Sequence, residues 1–348
     1  MVSGDPKQRP IREVAITADG GGIAASIIEL GAAIRDLVVK TADGRMQRVV
    51  LGLASVDDYF TYSPHMGAIC GRFANRIRHG RFTLDGRSYQ LPLNQDGRHT
   101  LHGGGPTGFG KSRWTLLHAD ANSATLAIHS PAGHNGFPGA VTATCRYSLV
   151  DPATLRIELW AVSDAPTIIN LCHHSYFNLD GSPDILDHTL EMRADYFTPT
   201  DADLIPDGRV ESVAGTPLDF RRAKPVHMLG PDGKRAWYDH NFLLRRDRCE
   251  PSAATGLDLA HAATLASEKS GIAMELWTSE PACQLYDGAK VNVQVAGLDD
   301  ARYRANAGLC LEPQHVPDSP NLPHFPSTVL RPGNAYRQVS EYRFIVPK

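Results

Sequence analysis

The chain has 348 residues, of which 42% are hydrophobic and 21% charged, a composition typical of soluble globular proteins. Its formal net charge is -3 and it has no run of Lys and Arg, which argues against a nucleic-acid or acidic-membrane partner. No secretory signal is expected, because no apolar core follows the basic residues near the N-terminus, and no apolar run approaches the ~18 residues needed to span a bilayer.

Short segments of alternating hydrophobic and polar residues, separated by 31 glycines and 24 prolines, predict a series of β-strands. Residues 81–91, RFTLDGRSYQL, predict a hairpin because Asp85 and Gly86 tolerate the positive φ angles of a tight turn. Residues 142–150 and 154–163 predict a second pair of strands, and 263–280 predict a third pair around Ser270 and Gly271. A further strand is predicted at 335–346.

Helical periodicity is nearly absent, and SPDILDHTL at 182–190 would supply at most one or two helical turns. Many short strands at regular spacing predict an all-β sandwich or barrel. Because no linker or repeat divides the chain, residues 1–348 are expected to form a single large domain.

The six cysteines form no C-x-x-C pair and no closely spaced cluster. They are Cys70, Cys145, Cys172, Cys249, Cys283 and Cys310. We therefore expect reduced, mostly buried thiols in a cytoplasmic protein, in preference to disulfides or a zinc site.

The segment TIINLCHHSYFNL at 167–179 is rich in β-branched and aromatic residues and is predicted to be a strand. Side chains alternate between the two faces of a strand, so the adjacent His173 and His174 point in opposite directions. This weakens a metal site built on the pair. His174 shares the more polar face with Asn170 and Tyr176 and is the better candidate for chemistry; a hydrogen-bonded structural histidine is the alternative.

A proton-donating histidine needs a base as partner if protons are to move in both directions. Glu312 ends the apolar run AGLCLE and precedes Pro313, which predicts a position where a strand leaves the sheet. Beside Leu309, Cys310 and Leu311, a carboxylate is expected to have a raised pKa, which suits a general base. The alternative is an exposed or ion-paired glutamate.

Five further polar residues stand at strand ends or in glycine-rich stretches. They are Asn75 and Arg76 in GRFANRIRHGRF, His102 before three glycines, Asp239 before an apolar run, and Gln284 in EPACQLYDG, where Tyr286 faces the same way. The glycine run lacks the G-x-x-x-x-G-K-[ST] pattern and no helical pattern follows it, which disfavours a phosphate cradle. Each residue also has a purely structural reading as a turn former, a strand-end charge or a surface amide.

Taken together, these residues belong to motifs through which the chain resembles the aldose 1-epimerases, also called galactose mutarotases, from about residue 12 to residue 346. The motifs, in the family's order, are GRFANRI, LPLNQDGRHTLHGG, HNGFPG, HHSYFNL, DHNFLL, PACQLYDG and LEPQHVPDSPN. The resemblance implies a large antiparallel β-sandwich, the galactose mutarotase-like supersandwich. It also implies an isomerase that interconverts the α and β anomers of free aldoses such as galactose and glucose.

The resemblance assigns roles to individual residues. Glu312 corresponds to the general base that takes the proton from the C1 hydroxyl, and His174 to the general acid that protonates the ring oxygen. His102 corresponds to a second catalytic histidine near the C1 or ring oxygen. The positions that correspond to sugar-hydroxyl ligands are Arg76, Asp239 and Gln284, with Asn75 beside them.

Ring opening and reclosure involves neither redox change nor group transfer, so no cofactor and no metal is expected. The expected partner is a monosaccharide, bound by a monomer or a homodimer. Departures from the family pattern leave the preferred aldose open as a hexose, a pentose or a phosphorylated sugar. They are His173 where Asn is usual, Pro313 where a small polar residue is common, and His134 and Asn135 where acidic residues are frequent.

Two other functions stay open. One is a hexose-6-phosphate 1-epimerase, for which Arg113 and the basic stretch at 221–224 are candidate phosphate ligands. The other is a non-catalytic sugar-binding protein on the same fold. The presence of both Glu312 and His174 disfavours this last function, because a protein without catalysis has no need to keep both.

Overall fold

A computed structural model of the protein describes residues 9–227, 233 and 235–346. This part of the chain forms 27 β-strands and short 3-10 helices of three or four residues. No helix among these residues is long and apolar enough to cross a membrane. The 3-10 helices are Asp57–Phe60, Arg78–Gly80, Gly105–Thr107, Phe109–Lys111, His134–Gly136, Leu298–Asp300 and Ser319–Asn321.

The first fourteen strands are β1 (Glu13–Thr17), β2 (Ile23–Ile28), β3 (Ala33–Lys40), β4 (Met46–Arg48), β5 (Ile69–Cys70), β6 (Arg76–Ile77), β7 (Arg81–Leu84), β8 (Arg87–Gln90), β9 (Thr100–Leu101), β10 (Thr115–Ala119), β11 (Ser123–Ser130), β12 (Val141–Val150), β13 (Thr154–Ser163) and β14 (Thr167–Ile168). The remaining strands are β15 (Cys172–His173), β16 (Thr189–Met192), β17 (Ala194–Thr198), β18 (Glu211–Ser212), β19 (Lys224–Pro225), β20 (Asp239–Leu244), β21 (Cys249–Pro251), β22 (Asp258–Ala266), β23 (Ala273–Thr278), β24 (Ala282–Tyr286), β25 (Cys310–Gln314), β26 (Val329–Leu330) and β27 (Tyr336–Ile345).

Three sheets build most of the structure. The largest sheet has ten strands, in the order β10-β11-β12-β13-β27-β23-β22-β16-β19, and its tenth strand, β21, pairs with β22. The second sheet has five strands, in the order β18-β17-β20-β24-β25. The third sheet has four strands, in the order β1-β2-β3-β4. All three contribute to one hydrophobic core, for example through Ile27, Leu159 and Leu285. Strands whose alternate residues are buried, such as β12, present one face to this core. The predicted antiparallel β-sandwich is therefore confirmed.

The predicted hairpins are present. β7 pairs with β8 through a turn in which Asp85 and Gly86 have φ angles of 49° and 75°. β12 pairs with β13 and β22 with β23, and β27 forms the C-terminal strand. The suggestion of helical turns at 182–190 is wrong, since these residues form bends, a turn and the beginning of β16.

The prediction of one continuous strand over 167–179 is wrong in extent. The segment contributes only the two-residue strands β14 and β15, with single bridges at Asn170 and Phe177. It stays extended but changes partner along its length: β14 pairs with β26, β15 with β5, and Phe177 with both Val50 and Leu309. No single neighbour is long enough to make the segment one regular strand.

The predicted location of Glu312 at the end of a strand is also wrong, because it lies in the middle of β25. β25 is the last strand of the five-stranded sheet and pairs there with β24 alone. A proline is tolerated in an edge strand, where its missing N–H can face away from the ladder. The strand therefore continues through Pro313 to Gln314.

His102 is presented by a loop that passes very close to another part of the backbone. His102, Gly103, Gly104 and Gly105 all have positive φ angles, of 49°, 78°, 102° and 73°. A Cβ atom at Gly103 would lie 2.0 Å from the carbonyl oxygen of Gly71. This close approach explains why the loop needs glycine directly after the histidine.

We expect Gly103→Ala to destabilise the fold far more than Gly86→Ala. Positive φ costs an alanine about 1–2 kcal/mol at either site. At Gly86 nothing lies within 4 Å of the new methyl group, whereas at Gly103 it meets backbone. Urea unfolding should show a loss of about 3 kcal/mol or more for Gly103→Ala, or no folding at all. Equal losses in the two variants would contradict the close approach.

Candidate active site

The five-stranded sheet carries three of the predicted site residues on neighbouring strands. Glu312 in β25 lies directly opposite Gln284 in β24, and Asp239 begins β20 opposite Tyr286. Gln284 and Tyr286 are two residues apart in one strand and therefore face the same way, as predicted. The Nε2 of Gln284 donates to Oδ1 of Asp239 at 2.6 Å, which joins the two strands at the site.

Arg76 connects this sheet to the loops on the other side of the site. It lies in β6, which pairs with β9 next to His102. Its guanidinium donates to Oδ2 of Asp239 at 3.3 Å and to Oε1 of Gln95 at 2.9 Å. The side-chain oxygen of Asn75 accepts the backbone N–H of Arg76 at 2.9 Å, so Asn75 helps to position the arginine.

Glu312 and His174 come together from distant parts of the chain. The Nε2 of His174 lies 3.6 Å from Oε1 of Glu312, and the two side chains are only 6% and 3% exposed. Burial raises the pKa of the Glu312 carboxyl, while the facing His174 and a hydrogen bond from Cys172 lower it. The pair therefore offers a buried carboxyl beside an imidazole, and the carboxyl has the raised pKa that its apolar neighbours predicted.

The backbone fixes the tautomer of His102. The N–H of Asn75 donates to Nδ1 of His102 at 3.2 Å, so in the neutral ring the proton is on Nε2. Burial, followed by the charges of His65, His174 and Arg76, lowers the pKa of His102 well below its usual range. His102 is therefore a neutral hydrogen-bond donor.

These side chains line a cavity of about 180 Å³. Six of the seven predicted residues face it: Asn75, Arg76, His102, His174, Asp239 and Glu312. Gln284 does not line it but is bonded to Asp239 in its wall. The cavity is small, and most of the side chains that line it are polar or ionisable.

Sequence reasoning missed His65, which also lines the cavity. Its ring centroid lies 4.8 Å from that of His102, and its buried Nδ1 has no hydrogen-bond partner among the described residues. Burial lowers the pKa of His65 to about 3, so the ring is neutral. His65 has φ = 65° in an irregular loop, where no periodic pattern could have predicted its direction.

Two buried thiols contact the central pair and were not predicted either. The Sγ of Cys172 donates to Oε2 of Glu312 at 3.3 Å, and the Sγ of Cys310 lies 3.5 Å from Nδ1 of His174. All six cysteines are free and five are buried, with Cys249 exposed. The prediction that the thiols are mostly buried is thus confirmed.

In the part of the chain that the structure describes, two groups of three side chains have ligand atoms close enough to hold a metal ion. They are Cys70, His102 and Cys172, and His174, Cys310 and Glu312. The first group is a poor fit, because Nδ1 of His102 already accepts the N–H of Asn75 and Nε2 then carries the proton. In the second group an ion would occupy both His174 and Glu312 and leave neither for proton transfer.

His173 points away from the cavity. Its ring packs between Tyr147 and Tyr342, with centroid distances of 6.1 Å and 5.9 Å. Neither ring nitrogen has a hydrogen-bond partner among the described residues, and burial lowers the pKa of His173 to about 3. The prediction that His173 and His174 face opposite ways is therefore confirmed.

Known proteins resemble this chain over nearly its whole length. The family model for aldose 1-epimerase matches residues 14–343. A galactose mutarotase from Mus musculus is 38% identical over 326 residues, which cover 93% of this chain and 92% of that protein. An aldose 1-epimerase from Escherichia coli K12 is 35% identical over 347 residues, covering 98% and 97%. The solved structure of a GalM/aldose epimerase homologue from C. elegans has a TM-score of 0.89 at 31% identity and covers 97% of this chain and 100% of that one.

We predict that Cys172→Ala raises the pKa of Glu312, because the carboxylate loses a hydrogen bond that stabilises its charged form. Cys172→Ser keeps a donor and should hold this pKa near or below that of the parent. NMR titration of protein with ¹³C-labelled glutamate carboxyls measures the change. Cys145→Ala, which removes a buried thiol from β12, is the control. An unchanged pKa in Cys172→Ala would contradict the contact.

Proposed function

Since the chain belongs to the aldose 1-epimerase family, we propose that it interconverts the α and β anomers of free aldoses such as galactose and glucose. The protein is thus an isomerase. One observation carries the proposal for the site: Glu312 and His174 lie 3.6 Å apart at the wall of a small polar cavity. An acid and a base in contact with one cavity are what reversible proton transfer requires.

The reaction follows from this pair. Glu312 removes the proton of the C1 hydroxyl while His174 donates a proton to the ring oxygen, the bond between C1 and that oxygen breaks, and C1 becomes an aldehyde. Rotation about the adjacent C–C bond exposes the other face of the aldehyde. The protonated Glu312 and the neutral His174 then reverse their roles, and the ring closes to the other anomer.

The remaining residues orient the sugar. His102, as a neutral donor, stabilises the negative charge that develops on the C1 oxygen or the ring oxygen. Arg76 and Asp239 bind ring hydroxyls through charge-assisted hydrogen bonds. Gln284 holds Asp239 in place and Asn75 holds Arg76.

The basic residues considered for a phosphorylated substrate are engaged elsewhere. Arg113 donates to Glu29 and to the backbone of Arg9, and Arg221 donates to Asp219. Neither they nor the rest of 221–224 line the cavity. This favours a free aldose over a hexose 6-phosphate as the substrate.

We also propose that the protein acts in the cytoplasm as a monomer or a homodimer, without a nucleic-acid or membrane partner. The net charge of -3 and the free, mostly buried cysteines support this. The shared core of the three sheets supports a single domain. No metal and no cofactor takes part in the proposed reaction, because it needs only proton transfer.

We predict that Glu312→Gln and His174→Asn each lower the rate of mutarotation by about 10²–10⁴-fold, the usual contribution of a general acid or base. Polarimetry on freshly dissolved α-D-galactose and α-D-glucose measures this rate. His173→Asn is the matched control, since His173 lies next in the chain but faces Tyr147 and Tyr342, and it should keep most of the rate.

Acceleration that survives in Glu312→Gln would remove this residue as the base. A loss in His173→Asn as large as that in His174→Asn would overturn the assignment of the acid. A parent protein that binds sugars without accelerating equilibration would favour the non-catalytic sugar-binding function.

A further inference from the structure

Among the described residues, one arginine and one lysine line the cavity, and the arginine is already paired with a carboxylate. Arg76 contacts Asp239, and its other bonds go to Gln95 and Asn75. Asp239 also accepts the N–H of Gln284. This arginine therefore contributes donors to the site but little net charge.

The second cation, Lys290, has no such partner. Among the described residues, no carboxylate oxygen lies within 4.0 Å of its Nζ, and its side chain is exposed at the cavity. Its Nζ lies 5.9 Å from the ring centroid of Trp237, which is itself 43% exposed. Lys290 thus brings an uncompensated positive charge to the site.

The backbone of Lys290 is bonded to a residue of the cavity wall. Its backbone N–H donates to the hydroxyl of Tyr286 at 2.9 Å, and Tyr286 also lines the cavity. Tyr286 lies two residues along β24 from Gln284, the residue directly opposite Glu312. At about 3.3 Å per residue, the backbone of Tyr286 is about 7 Å along the strand from the row that holds the base. Lys290 and Glu312 line the same cavity.

We propose that Lys290 is a specificity-determining residue that favours aldoses carrying one carboxylate away from C1, that is, uronic acids. This rests on the proposed function, since Glu312 and His174 still act on C1. In a hexuronic acid the carboxylate is attached to C5, which lies across the ring oxygen from C1. A carboxylate at C5 that faces Lys290 would be the counter-ion that this lysine lacks.

The charge also favours a carboxylate over a phosphate. A phosphate monoester carries about 1.5 to 2 negative charges at neutral pH. Lys290 supplies one positive charge, whereas Arg76 is already paired with Asp239. One lysine matches one carboxylate, whereas a phosphate would leave charge unbalanced.

The test compares neutral and anionic sugars in one assay. Exchange between the anomeric proton resonances at equilibrium, measured by ¹H NMR, gives kcat/KM for galactose, galacturonate and galactose 6-phosphate. The proteins are the parent, Lys290→Met, Lys290→Arg and Lys40→Met. Lys40 is an exposed residue at the end of β3, and its replacement controls for the loss of one surface charge.

For the parent, we expect kcat/KM to be higher for galacturonate than for galactose, with the phosphate ester below galacturonate. The ratio for galacturonate over galactose should fall about tenfold in Lys290→Met, as for the loss of one charged hydrogen bond. It should recover in Lys290→Arg and stay unchanged in Lys40→Met. Added salt should lower this ratio in the parent but not in Lys290→Met.

Each contrary result has its own meaning. Normal acceleration of galactose with no preference for galacturonate, or a preference that survives Lys290→Met, would overturn the role of Lys290 alone. A preference for the phosphate ester would overturn the choice of carboxylate. Acceleration of none of the sugars would overturn the proposed function and this inference together.

Discussion

The site depends on the burial of one carboxylate. Glu312 is only 2% exposed in the middle of a strand, where an ionised group is costly unless other groups stabilise it. His174 at 3.6 Å and the thiol of Cys172 at 3.3 Å provide that stabilisation from a second segment of the chain. Burial still prevails and raises the pKa of Glu312. The burial that makes an ionised Glu312 costly in the folded protein also makes it a stronger base.

The architecture holds the other groups around this carboxylate. Pairing of β20, β24 and β25 sets the positions of Asp239, Gln284 and Glu312 along one sheet. Arg76 then joins Asp239 to the loops that present Asn75 and His102. Most polar groups of the site are fixed by hydrogen bonds before a sugar enters, which reduces the reorganisation needed in the reaction.

Several features of the site could be predicted from the sequence because they depend on local rules. The alternation of side chains along an extended segment predicted that His173 and His174 point in opposite directions. This holds although the segment pairs as short pieces with several partners. The apolar neighbours of Glu312 predicted its raised pKa. Its location within the strand could not be predicted, because whether a proline ends a strand depends on whether the strand lies at an edge.

Other features depend on contacts between distant segments and left no local signal. Cys172 and Glu312 are 140 residues apart in the chain, and Cys310 and His174 are 136 apart. His65 enters the site from an irregular loop. The family motifs, taken together, implied that their residues share one site. The spacing of these residues along the chain could not predict that they lie close together.

The pH dependence of kcat/KM for galactose tests the central claim most directly. With Glu312 as a buried base and His174 as the acid, the rate should rise through a midpoint above the pH at which an ordinary glutamate ionises, because only the ionised carboxylate accepts a proton and its pKa is raised. A rate that is already maximal where ordinary carboxylates ionise, or that does not change across the acid range, would contradict the account.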